Sequence, residues 1–140
     1  MGTQQMLLIA LGVILVGIAV VVGINLTQAS FSDQIKDMAI KQLHEVGSLA
    51  NAYRAMPTEM GGGGGTYTGF QLVKQLEEDA LAWTYDFRFG SDNLYIYLIS
   101  KAVVYENKHL YVLGFYQGGD LEYIQVYDPA ESGWKVVYRK

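Results

Sequence analysis

The 140-residue chain contains no cysteine, which excludes disulfide staples, thiolate metal sites and a cysteine nucleophile. It has only two prolines, Pro57 and Pro129, so nothing in the first 56 residues forces a helix to stop. The two histidines, His44 and His109, have no histidine or carboxylate four residues away, the spacing that a helical zinc site needs. With a net charge of −4 and no cluster of Lys and Arg, the chain is not expected to bind nucleic acid. No Gly-x-Ser-x-Gly elbow, dinucleotide fingerprint or EF-hand loop is present. No catalytic, cofactor-binding or metal-binding residue is therefore expected. Asp128 and Glu131 flank a turn where solvated carboxylates are ordinary. The Asn25–Leu26–Thr27 sequon sits at the end of an apolar segment, a poor place for glycosylation.

The most informative absence is of charge. No residue from Met1 to Ser32 is ionisable, and all 24 charged side chains (14 acidic, 10 basic) lie from Asp33 onward. Within that stretch Met6 to Ile24 holds nothing more polar than glycine. As a helix these nineteen residues span roughly 29 Å, about the hydrocarbon thickness of a bilayer. A helix apolar on every side must be surrounded by lipid or by protein. A cleaved secretory signal is disfavoured, because no Lys or Arg precedes the run and the run exceeds a usual h-region. A single-span anchor fits, but the basic flank that would orient it is missing. Gly12, Gly17 and Gly23 punctuate the segment; their spacing is not GxxxG, but glycine in apolar surroundings lets helix backbones approach.

After Asn25 the pattern turns amphipathic without a break. Phe31, Ile35, Ala39, Leu43, Val46, Ala50 and Tyr53 recur three or four residues apart and form one helical stripe. Asp33, Lys36, Asp37, Lys41, Glu45 and Asn51 occupy the other side, with Asp37 and Lys41 in favourable i, i+4 order. Gly47 is a weak point, and Pro57 ends the helix near Met56. A continuous helix over residues 3–55 would be roughly 80 Å long.

Five consecutive glycines, Gly61 to Gly65, follow, and a flexible connection over residues 57–69 is expected. A phosphate-cradling loop would need Lys–Ser or Lys–Thr after the glycines, and none follows. Gln71 to Ala80 is ambiguous, with helical propensity. From Leu81 the chain reads as strand after strand, Trp83 to Phe89 alternating with a two-residue period, with turns at Gly90–Asn93, Glu106–Lys108, Gly118–Asp120 and Asp128–Gly133. Short loops make sequential strands antiparallel, so residues 70–140 are expected to form a meander of about five strands. The expected class is α+β: a helix over 1–56 (1–28 in membrane or filament core, 29–56 amphipathic), a connection over 57–69, and the sheet. Most of the eleven tyrosines fall in the strands, fitting either subunit contacts or ordinary strand propensity.

This succession of apolar helix, amphipathic helix, loop and antiparallel meander resembles the type IV pilin superfamily, which includes bacterial pilins, pseudopilins and archaeal pilins. The resemblance implies a self-assembling structural subunit, with identical copies as partners. It also implies a cytoplasmic (inner) membrane location before assembly and a cell-surface filament afterwards, for adhesion or motility, served by a prepilin peptidase and pilus assembly machinery. Met1 matches a mature first residue exposed after a basic leader is removed. Residues expected in the filament core are Met1, Gln4, Gln5, Leu8, Leu11, Gly12, Leu15, Gly17, Val20 and Gly23; the amphipathic stripe is expected on the sheet. The chain departs from the bacterial pattern in carrying Gln5 where glutamate is usual, and in lacking the proline that often interrupts the helix. Glutamine accepts a hydrogen bond without burying a charge. The competing expectation is a membrane-anchored binding module that does not polymerise.

Overall fold

The computed structural model describes residues 2–72, 83–105, 108–129 and 131–140. Met1, and the ambiguous segment from residue 73 on, lie outside the described residues. Among the described residues one α-helix, α1 (Gly2–Ala55), and a short 3-10 turn (Thr58–Met60) are followed by five strands: β1 (Trp83–Phe89), β2 (Asn93–Tyr105), β3 (Lys108–Gln117), β4 (Asp120–Asp128) and β5 (Gly133–Arg139). The class is α+β, with the hydrophobic helix at the N-terminus.

The chain divides into two compact units, one ending at Ile35 and one running Lys36–Lys140. The division falls inside α1 rather than at the glycine run. The first unit is helix alone. The second contains the rest of α1, the glycine segment and the sheet, because the buried stripe of that helical half belongs to the sheet's core.

In the second unit the strands are in sequence order, every neighbouring pair antiparallel. Gly118 and Gly119 join β3 to β4 with φ of 62° and 98°, the two positive angles a tight type I′ hairpin requires. One face of the sheet is buried: Leu94, Ile96 and Leu98 of β2, Leu110 and Val112 of β3, and Ile124 and Val126 of β4. Ala39, Leu43, Val46 and Ala50 of α1 are wholly buried. The helix comes closest at two complementary points. A Cβ at Gly114 of β3 would fall 2.7 Å from Leu43 Cδ2, and one at Gly47 of α1 would fall 2.0 Å from the Tyr116 hydroxyl oxygen. Gly47, a weak point by propensity, is thus where a sheet tyrosine enters the helix surface. Lys36 Nζ pairs with the buried Asp128 carboxylate at 2.6 Å, tying α1 to the end of β4.

Tyr116 is buried, its hydroxyl donating to the Leu43 carbonyl at 3.4 Å, and burial pushes its pKa from 10.0 up to about 12. Below pH 10 both folded and unfolded chains hold this proton. Above it the unfolded phenol ionises first, so stability falls as pH rises from about 10 to about 12. Tyr67 and Tyr85 are raised by burial in the same direction. We expect urea unfolding at pH 8 and pH 11 to show this loss, and Tyr116→Phe to reduce it. A loss equally steep in the phenylalanine variant would contradict the assignment.

The glycine segment differs from the expected slack connection. All five of its N–H groups donate within the chain: Gly61 to Thr58 O, Gly62 to Pro57 O, Gly63 to Tyr53 O, Gly64 to Met56 O and Gly65 to Arg54 O, at 2.8–3.1 Å. Three of these acceptors, Tyr53, Arg54 and Met56, are carbonyls at or just past the end of α1, where intrahelical donors run out. At Gly63 a Cβ would collide with the Thr66 carbonyl oxygen, 1.9 Å away. The glycines form a folded cap because only a bare backbone turns this tightly. The same bonds remove any phosphate-cradling role, since no N–H remains to point at an anion.

The cap also seats Tyr67. Its side chain is wholly buried and its hydroxyl donates to Asn51 Oδ1 at 2.8 Å. Asn51 Nδ2 donates to Gly119 O at 2.8 Å, while Arg54 reaches Gly118 O at 3.1 Å and Asp92 Oδ1 at 2.7 Å. The end of α1 is thereby fastened to the β1–β2 and β3–β4 turns.

Candidate functional site

The first candidate is the apolar part of α1. Every Leu, Ile, Val and Met from Met6 to Ile24 is at least 50% exposed, on all sides of the helix. Gln4, Gln5, Leu8, Leu11, Leu15 and Val20 are all exposed, and a Cβ at Gly12, Gly17 or Gly23 would meet nothing within 4 Å. The segment is long and apolar enough to cross a membrane. Where it leaves the apolar run, the Thr27 hydroxyl donates back to the Gly23 carbonyl at 2.8 Å, so polarity begins without breaking the helix.

Of the expected helix–sheet stripe, Ala39, Leu43, Val46 and Ala50 are wholly buried and Ile35 is nearly so. Tyr53 is half-buried; it meets Phe70 edge-on at 5.7 Å and donates to Thr68 O at 3.0 Å. Its packing is thus on the segment after the glycine cap, with Phe70 in turn against Phe87 of β1 at 5.5 Å. Phe31 departs from the expectation: it is 51% exposed. It lies more than a helical turn before Lys36, where the compact sheet-bearing unit begins, so its place in the stripe's period is not matched by a covering core. Asp37 and Lys41, though correctly spaced, are not among the ion pairs of the described residues.

The second candidate is the other face of the sheet. Strand register lines up Tyr95, Phe115 and Tyr123 across β2, β3 and β4, and Tyr111, Tyr127 and Trp134 across β3, β4 and β5. The rings touch in those rows: Tyr95–Phe115 at 4.6 Å, Phe115–Tyr123 at 5.1 Å, Tyr111–Tyr127 at 6.0 Å and Tyr127–Trp134 at 5.6 Å between centroids. Because each ring leans on the next, the rows present edges and hydroxyl tips rather than broad open faces. Beside them the Arg88 guanidinium lies 5.6 Å over the Tyr97 ring, and a shallow hollow of about 330 Å³ is lined by Arg88, Phe89, Gly90, Tyr95 and Tyr97.

No family model, curated protein or solved structure matches this chain. The functional argument therefore rests on these surfaces.

Among the described residues no three or more His, Asp or Glu side chains gather as a metal site would require. His44 is exposed on α1 and His109 is half-buried in β3. The surface that sequence reasoning missed is β5. Trp134, Val136, Val137 and Tyr138 are each 44–54% exposed, although Val136 and Val137 are adjacent in the strand. The signal was the absence of alternation in Trp134–Tyr138: two adjacent valines cannot both face one core.

Proposed function

We propose that the chain is the structural subunit of an extracellular, type IV pilus-like filament, assembled through residues Met1–Ile24 and serving attachment or motility. The observation that carries this reading is the contrast between the two halves of α1. The second half buries its single apolar stripe within its own chain, whereas the first half is apolar all round and buries none of it. Lipid satisfies that surface while the subunit waits in the cytoplasmic membrane. Neighbouring copies satisfy it in a polymer, where each fully buried large aliphatic side chain contributes about 1.5–3 kcal/mol relative to water. Gly12, Gly17 and Gly23, with open space at each Cβ position, allow those neighbours close approach. Gln4 and Gln5 supply hydrogen-bonding groups without burying charge. On this reading a prepilin peptidase and assembly machinery process and stack the subunit.

The test is electron microscopy of the material sheared from the surface of cells that make the protein, with N-terminal sequencing of its main component. Thin filaments built from this chain support the proposal. Protein found only in membranes, with no filament, overturns it and favours a second reading: an anchored module whose aromatic sheet face binds a partner. The aromatic rows and the hollow beside Arg88 are what recommend that alternative.

A further inference from the structure

We propose that the aromatic face of the sheet binds an acidic, hydroxyl-rich polysaccharide laid across the strands. The face is the same whether copies polymerise or stay anchored singly, so binding holds under either reading above. Register extends the central aromatic row at both ends. Arg88 of β1 pairs with Tyr95, and Arg139 of β5 pairs with Tyr123, so the row runs Arg88, Tyr95, Phe115, Tyr123, Arg139 across all five strands. Four strand spacings set the two arginine backbones roughly 19 Å apart. A guanidinium therefore stands at each end of a line of aromatic rings.

The chemistry of the row selects its occupant. Phe115 lies 4.6 Å from Tyr95 and 5.1 Å from Tyr123, so these rings cover one another's faces. A nucleobase, which binds by stacking on an open ring, finds none in this row. A peptide strand gains most from main-chain hydrogen bonds at a sheet edge, and on this face the backbone groups are occupied by neighbouring strands. What the row does offer is ring edges, the positive part of the aromatic quadrupole, and hydroxyl tips. The tips gather: the Tyr123 phenol is raised above 10.0 first by burial and then by the nearby Tyr95 and Tyr97 phenols. A phenol hydroxyl both donates and accepts, which matches the hydroxyls of a sugar chain.

Charge makes that sugar chain acidic. The row beside the central one is Asp86, Tyr97, Leu113, Gln125 and Val136, and the next is Thr84, Ile99, Tyr111, Tyr127 and Trp134. Arg88, Arg139 and Asp86 are thus the charged residues of the three rows. Asp86 is 3.8 Å from Arg88 Nε, at the long limit of an ion pair, and Arg139 has no ion pair among the described residues. At the rim, Lys140 pairs with Asp120 and Lys135 with Glu131, which leaves the two arginines to set the sign. In a chain of net charge −4 the face runs against the general balance. Arginine recognises carboxylates through paired N–H donors. The Arg88 guanidinium, 5.6 Å over the Tyr97 ring, borders the hollow of about 330 Å³, where one carboxylated sugar ring has a seat.

Calorimetric titration of the full chain, dispersed in a non-ionic detergent at low salt, tests this with alginate, a polymer of uronate. Dextran supplies hydroxyls without charge, and polyglutamate supplies carboxylates without hydroxyls. We expect alginate to bind, and each of the other two to bind about tenfold more weakly. Arg88→Gln and Arg139→Gln should each weaken alginate binding about fivefold, and the pair Tyr95→Phe with Tyr123→Phe, which removes only hydroxyls, about threefold with the thermal melt unchanged. Lys41→Gln, a charge removed from α1 and not from this face, should leave binding as it was. No binding of alginate, equal binding of polyglutamate, or an equal loss in Lys41→Gln overturns the proposal. A dT oligonucleotide that binds more tightly than alginate overturns it in favour of nucleic acid. Because dispersed subunits are titrated, failure here leaves the filament reading standing, and a lack of filaments leaves this site standing.

Discussion

Val13→Asp is expected to abolish filaments and to leave the subunit folded and in the membrane. Val13 lies in the first half of the apolar segment and is 68% exposed on α1, so in the isolated chain the substitution touches nothing. In a filament the carboxylate would be enclosed by apolar side chains of neighbouring copies with no partner for its charge, and a buried uncompensated charge costs about 3–5 kcal/mol. Every copy carries the lesion, so the penalty recurs at each subunit added. Membrane insertion survives the same change. An aspartate near the centre of a spanning helix costs about 2.5–3.5 kcal/mol, and the remaining apolar side chains, at about −0.3 to −0.6 kcal/mol each, outweigh it. The measurements are filament yield by electron microscopy, membrane fractionation, and the thermal melt of the sheet followed by near-ultraviolet circular dichroism. Filaments at normal yield in this variant would falsify assembly through the apolar segment. Val13→Leu serves as the control and should assemble normally.

The two halves of α1 were visible in the sequence for different reasons. The uncharged run is a continuous block and the stripe at Ile35, Ala39, Leu43, Val46 and Ala50 is periodic, and both patterns survive any tertiary arrangement. The strands were legible for the same reason, and their antiparallel order followed from turns as short as Gly118–Gly119. Three features were not legible, each because it depends on where a chain stops being covered or begins to fold back. Phe31 fits the stripe's period but lies before the compact unit. The five glycines read as slack, whereas their N–H groups donate to carbonyls of Tyr53, Arg54, Met56, Pro57 and Thr58. The strand tyrosines, such as Tyr95 between the inward Leu94 and Ile96, fit either subunit contacts or ordinary strand propensity, and nothing in the sequence orders them. Their alignment into rows is a property of register, and register between strands is not written within any one of them.

Close approach to Leu43 leaves Gly114 of β3 no room for a side chain. Gly114→Val is expected to destabilise the sheet-bearing unit by about 3 kcal/mol, the upper end of ordinary overpacking. For a unit of roughly a hundred residues this lowers Tm by about 10–20 °C. A Cβ there would sit 2.7 Å from Leu43 Cδ2, 2.8 Å from Cδ1 and 3.0 Å from Cγ, and Leu43 is itself wholly buried between its neighbours. Neither side can yield cheaply: Gly114 is paired with Ile96 on one flank and Ile124 on the other, which fixes its backbone. Strand propensity alone argues the reverse, since valine is the better strand former, so the sign of the effect separates tertiary contact from local preference. The decisive measurement is a double-mutant cycle. Leu43→Ala alone should cost about 2–5 kcal/mol through the cavity it leaves. Combined with Gly114→Val, the added methyls occupy part of that cavity, and the double variant should be more stable than the sum of the two losses predicts. Strict additivity would mean that helix and sheet do not meet at this point, and the buried stripe of α1 would then need another partner.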